Sequence, residues 1–464
     1  MTTAKKFIPL VLLVISLYGL WTITADRLPW QKQAIDLKPG EIARVSLGQV
    51  AVQNYGKMGF TKGSVSYVPG NDSPKWAVGT ENGEILLIDN SGAIIWRRSL
   101  GIGKINTIKV TVDGKQIIVG ETSPTGTLYA IDVTNGKVLW TYDTSMGIGS
   151  TPQARSLPSL TWLDVDKIGN IYAAAYRLGD KRSYTARIFA FSPKGNLLWQ
   201  FPENEAMDAW SNYAAVSDND NALVFSTATY ETKPGTKYPH TLYWLDKKIG
   251  REILNIDLPE TQLGGRAVIR SSPNYAADGQ TLAFITSDGR AYYYTKDGQQ
   301  IWQRTISSPA QIAGTWINSI GRVAYVLEDQ VVFTTINTYN RDNWQLPTPL
   351  EHPSSNSIFI FDKTGNLENK ITVGGNIEDL VFFQKTALIA VGRNIQVKDY
   401  SIHGVRLYDL TNASILFEFK TAGPCQNVAI SPDGQYIAAV EVPAALDDNK
   451  IIGDYMLHII KRSL

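Results

Sequence analysis

From Glu41 to the carboxyl terminus the chain repeats one pattern of apolar and polar positions. A run of four residues that are mostly apolar leads into a polar turn and then into a second short run. In the clearest copy, Leu128–Ile131 is followed by Asp132, a turn ending at Gly136, and a strand ending at Trp140. This is the signature of a β-hairpin. Equivalent copies run from Ile85–Ile88 to Gly92 and Trp96, from Ile188–Phe191 to Gly195 and Trp199, and from Ala291–Tyr294 to Gly298 and Trp302. Leu242–Leu245 keeps Gly250 but has Leu254 at the tryptophan position, and Ile358–Phe361 keeps Gly365 but has Asn369 there. Val405–Tyr408 has Ala413 and Phe417. An eighth apolar run, Met456–Ile459, stands so near the end of the chain that its partner is missing.

The apolar runs carry large side chains toward both faces, so each sheet is covered on both sides by neighbours. Upstream of each hairpin lie two more strand-like runs joined by a turn such as Asp113-Gly114 or Asp433-Gly434, which makes four strands per unit. The pattern predicts an all-β chain, an eight-bladed β-propeller of four-stranded antiparallel blades over residues 41–464. A ring of sheets left open would expose two edges, so the strand Glu41–Leu47 is expected to complete the last blade. The glycines suit turns with positive φ, and each tryptophan suits burial against the next blade. Long insertions between second and third strands, at 177–185, 229–240, 337–357, 393–404 and 443–454, are expected on one face, where loops on a rigid ring carry binding.

Ahead of the repeats, Lys5 and Lys6 precede an uncharged apolar run, residues 7–25, about 28 Å long as a helix. The reading is a six-residue cytoplasmic tail 1–6, one transmembrane signal-anchor 7–25, a linker 26–40 and an extracytoplasmic propeller on a single-pass cell-membrane protein. A cleaved signal peptide is the alternative, although Ile23-Thr24-Ala25 places a large residue where a cleavage site wants a small one.

Charge removes one class of partner. Lys+Arg 44 against Asp+Glu 43 leaves a formal net charge of +1, so no basic field draws nucleic acid. The single cysteine, Cys425, excludes an intrachain disulfide and reads as a small core residue. His240, His352, His403 and His458 lack metal-ligand spacing; three of them sit in the insertion loops, where they could approach one another, and read there as solvated loop residues. Asp164-Val165-Asp166 and Asp218 to Asn221 offer clustered oxygens suited to calcium, yet they fall in turns where such residues cap the backbone. Gly101 to Lys104 and Gly147 to Ser150 resemble pieces of phosphate loops but recur at matching connectors. Trp162, Trp210, Arg266, Arg270 and Trp316 stand in the connectors into the innermost strands and are the candidate ligand-facing residues, with packing between blades as the other reading.

The run Ala130-Ile131-Asp132 to Gly136-Lys137 and on to Trp140 resembles the repeat of pyrroloquinoline-quinone (PQQ) type β-propellers, strongly in the first five units and weakly in the last three. The resemblance implies a scaffold shared by quinone-dependent dehydrogenases and non-catalytic members. Dehydrogenases of that kind use adjacent cysteines over the quinone and a carboxylate and amide set on calcium; the chain has one cysteine and no matched calcium set. The expectation is a non-enzymatic binding or assembly scaffold without a cofactor, its partner a protein, peptide or glycan on the insertion-rich face. A PQQ-dependent oxidoreductase with calcium is the competing reading.

Overall fold

The computed structural model describes residues 37–55, 65–70, 73–101, 103–150, 156–179, 184–229, 240–262, 266–312, 315–340, 351–393 and 399–462. The tail 1–6, the apolar run 7–25 and most of the linker 26–40 lie outside these residues. No helix among the described residues is long and apolar enough to cross a membrane.

Pro39–Leu464 forms a compact unit built almost wholly from antiparallel sheets, most of them four-stranded and made from consecutive strands, with one short parallel pair, Gln53–Asn54 beside Ala444–Ala445. The first comprises Val65–Val68, Lys75–Gly79, Glu84–Asp89 and Ile94–Ser99. The next two, Lys104–Val110 to Val138–Asp143 and Ser159–Val165 to Leu197–Phe201, are joined into one longer sheet by the pair Thr122 and Ser159. In the last sheet the order departs from sequence. Cys425–Ile430, Tyr436–Glu441 and Met456–Lys461 are flanked on the outside by Glu41–Ser46, which pairs antiparallel to Met456–Lys461.

The third strand of each four-stranded unit is buried on both faces because the neighbouring sheets cover it. Ile85, Leu86 and Ile88 are fully buried, while the outer strand Ile94–Ser99 is largely exposed. The core is therefore a series of apolar layers, each shared by two successive sheets. Ile117, Val119 and Ile131 pack with Ile85 and Leu87 in one layer; Ala43, Val45, Leu457 and Ile459 pack with Trp76, Leu86 and Ile88 in another. The second of these layers joins the closing sheet to the first.

The repeat glycines and tryptophans form the outer part of these joints. Gly92, Gly136, Gly195, Gly250, Gly298 and Gly365 all have positive φ. At Gly136 a Cβ would lie 2.9 Å from the indole of Trp96, and Trp140 and Trp199 cover Gly195 and Gly250 still more closely. Each indole also donates Nε1–H to a carbonyl of the turn it covers: Trp96 to Val133 (2.8 Å), Trp140 to Pro193 (3.3 Å), Trp199 to Lys247 (2.9 Å) and Trp302 to Lys363 (3.0 Å). Elsewhere the joint is filled differently. Gly298 meets Leu254, and Gly92 meets Ala43 of the closing strand.

Candidate binding surface

The innermost strands surround a cavity of about 620 Å³ lined by Lys109, Asp164, Tyr213, Arg322, Glu378 and Asp379 among others. Most of these strands are first in their sheets, with one backbone edge free of a further strand along most of its length; the start of Thr315–Val326 pairs with Ala310–Ile312, and Ser159 with Thr122. Charge within the cavity is partly paired. Lys109 Nζ lies 3.5 Å from Asp164, and Glu378 meets Arg393 at 3.4 Å in a buried pair. Burial raises the Asp379 carboxyl above its ordinary range, against backbone N–H bonds from Val428 and Leu380 that pull it down.

Where the inner strands begin and the second strands end, a smaller cavity of about 210 Å³ opens, lined by Glu81, Lys104, Asn106, Thr122, Tyr176 and Tyr455 among others. Connectors and insertions leave the sheets at these strand ends. The polar side chains here largely satisfy one another: the Asn106 amide donates to Thr122, Ser159 and Leu160, and Lys104 pairs with Glu81 at 2.6 Å. Burial pushes the Tyr455 phenol up to about 12, and its hydroxyl accepts the Glu81 N–H at 3.2 Å.

The ligand-facing candidates fall in successive sheets and differ in exposure. Trp162 is 8% exposed and packs with Tyr172, Ala174 and Phe225 between two sheets. A register shift between Leu160 and Trp162 accompanies that placement. Trp210 begins an inner strand and meets Tyr184 edge to face at 5.1 Å. Arg266 bridges Glu260 through the backbone and donates weakly to Leu258 at 3.5 Å. The Arg270 carbonyl accepts from Arg322 at 2.6 Å. Trp316 is 51% exposed, opposite Gln311 in a short added strand, Ala310–Ile312. Its hairpin, Thr315–Val326 with Gln330–Asn340, has the two longest strands among those described.

The three insertion-loop histidines depart from their reading as solvated residues: His240, His352 and His403 are all buried, as is His458 within its strand. His240 contacts the carbonyls of Ala267 (2.8 Å) and Thr229 (2.9 Å), which tie a second-strand end to the following connector. His352 contacts the Ser308 carbonyl at 2.9 Å, and His403 meets the Tyr55 hydroxyl at 2.9 Å. They anchor the ends of insertions to the sheets. No grouping of His, Cys, Asp and Glu suited to a metal occurs among the described residues. The Asp-rich turns cap backbone and link neighbours: Asp166 accepts from Ile168 and Asn170 N–H groups, and Asp220 pairs with Lys296 at 2.8 Å.

Comparison with known proteins places this arrangement. A family model described as outer membrane protein assembly factor BamB matches residues 26–227 and 240–341. Among solved structures, the C-terminal WD40 domain of Sif2 superposes with TM-score 0.57 at 13% identity, covering 91% of this chain and 98% of that one. BamB from Moraxella catarrhalis gives TM-score 0.51 at 13% identity, covering 88% and 98%. The computationally designed Ika8 protein gives 0.52 at 12% identity, covering 91% and 100%. At these identities the structural likeness speaks for a β-propeller fold. No curated protein matches.

Proposed function

The chain belongs to the PQQ-repeat β-propeller family described as outer membrane protein assembly factor BamB, and from that premise we propose that it is a non-enzymatic assembly scaffold of the cell envelope that holds a protein partner. The family match carries this reading. In it, the four-stranded units make eight blades closed as a ring, residues 7–25 anchor the chain as a single membrane pass, and the propeller lies on the extracytoplasmic side.

The recognition face in this proposal is the one bearing the insertions. The ends of the second and third strands there are bridged by long segments, such as Asn340 to Ser357 and Glu441 to Met456, whereas third and fourth strands are joined by turns as short as Asp89 to Ile94. Exposed Trp316 supplies a large aromatic anchor, with Arg266 and Arg270 in the neighbouring connector.

Site-specific photo-cross-linking in intact cells tests the assignment. A photoreactive residue at Trp316 or Arg266 should capture envelope proteins, while one at Ile168, exposed in a turn between first and second strands, should not. Equal capture at all three positions, or none at Trp316 and Arg266, would overturn it.

A further inference from the structure

The closing sheet holds a buried charge cluster. His458 sits in Met456–Lys461, between the closing strand Glu41–Ser46 on one side and Tyr436–Glu441 on the other. Its Nδ1 is 2.7 Å from Glu41 Oε1, and its Nε2 is 2.7 Å from Glu441 Oε2. An ionised carboxylate only accepts, and a neutral imidazole carries one N–H, so both contacts are hydrogen bonds together when the ring holds two protons.

The alternative, a neutral ring beside a protonated carboxyl, is disfavoured by the other partners. Arg44 donates to Glu41 through Nε (2.9 Å) and Nη2 (2.5 Å), and the Gly423 N–H donates to Glu441 Oε1 at 2.5 Å. Each favours the ionised acid. From the preceding sheet, Phe419 covers the imidazole with ring centroids 5.5 Å apart, and His403 lies within electrostatic reach of Glu441.

We propose that Glu41, His458 and Glu441 form a protonation-dependent clasp that fastens the first strand of the propeller to the last. The link joins residues 417 apart in sequence, at a joint where Ala43 rather than a tryptophan lies over Gly92. Burial by itself disfavours the imidazolium, but the hydrogen bonds to the two carboxylates outweigh it and hold the imidazole above its ordinary range. A raised value in the folded state means that the clasp is fully made below about pH 6.5, the ordinary imidazole value, and is lost as pH rises through the folded value. Once His458 is neutral it donates to one carboxylate only and turns a ring-nitrogen lone pair toward the other.

Hydrogen exchange on the full chain between pH 6 and 9, corrected for the intrinsic rate, tests the clasp. Residues 41–46 should lose protection by up to about tenfold for each pH unit between about 6.5 and the folded value, and level off above it, relative to residues 75–79. In His458→Gln that difference should be flat. Parallel profiles for the two segments in the unsubstituted chain would overturn the proposal. Should His458→Gln fail to fold, nitrogen NMR of the unsubstituted chain decides: a His458 ring more than half protonated at pH 6.5 supports the clasp, and one mostly neutral there overturns it.

Discussion

The indole of Trp96 lies against Gly136 of the following sheet, donating to the Val133 carbonyl at 2.8 Å and leaving no room for a Cβ, which would stand 2.9 Å from the ring. The φ of Gly136 is 67°, so an L side chain is strained there before it meets the indole. Gly136→Ala should cost about 2 to 4 kcal/mol, and Trp96→Ala about 3 kcal/mol. The two should not add, because removing the indole opens space for the methyl. Urea midpoints of the single and double variants check this; strict additivity would show that ring and glycine do not share one joint.

Removing residues 41–46 takes the outer strand from the closing sheet and strips Ala43 and Val45 from the layer that joins it to the first sheet. The truncated chain should melt at lower temperature and lose exchange protection across residues 456–461. Melting unchanged from the full chain would mean that the seam contributes nothing to cohesion.

His403 predicts a pH response opposite in sign to that of His458. Its imidazole is fully buried against the Tyr55 hydroxyl, and burial holds its pKa below the ordinary range. The unfolded chain therefore takes up the proton first on acidification. The stabilisation is complete above about pH 6.5 and is lost as pH falls through the folded value. Residues 53–55 should exchange faster at pH 5 than at pH 7.5 after correction, and Tyr55→Phe should blunt the effect. Exchange independent of pH would remove His403 as the anchor.

Trp316→Ala should change stability by less than about 0.5 kcal/mol, because half of the side chain is in solvent, yet weaken partner retention about tenfold or more. Trp162→Ala should do the reverse, costing about 3 kcal/mol through lost packing with Tyr172 and Phe225. Urea titration beside cross-linking yield separates the two.

Incubation with pyrroloquinoline quinone and calcium should give no dye reduction and no cofactor retained after gel filtration. Turnover with retained quinone would overturn the scaffold reading in favour of a dehydrogenase.

The sheets were legible because their cause is local: a strand covered on both faces must be apolar throughout, as Leu128–Ile131 is, and a turn beneath an indole must end in glycine, as at Gly136. Legibility fades where another group fills the joint, as Leu254 does over Gly298. Trp162 and Trp316 hold similar positions in sequence but opposite environments, since one follows a register shift into a sheet interface and the other rides on a lengthened hairpin. The histidines were misread because length made their loops look solvated. What matters is that a carbonyl or hydroxyl waits at the base of each insertion, such as Tyr55 beneath His403, and no local pattern records a contact made across 348 residues.

The pairing of Glu41–Ser46 with Met456–Lys461 also sets an order of assembly. The segment made first is the one that docks last, idle through synthesis of everything between, with its apolar alternation open to any unpaired edge it meets.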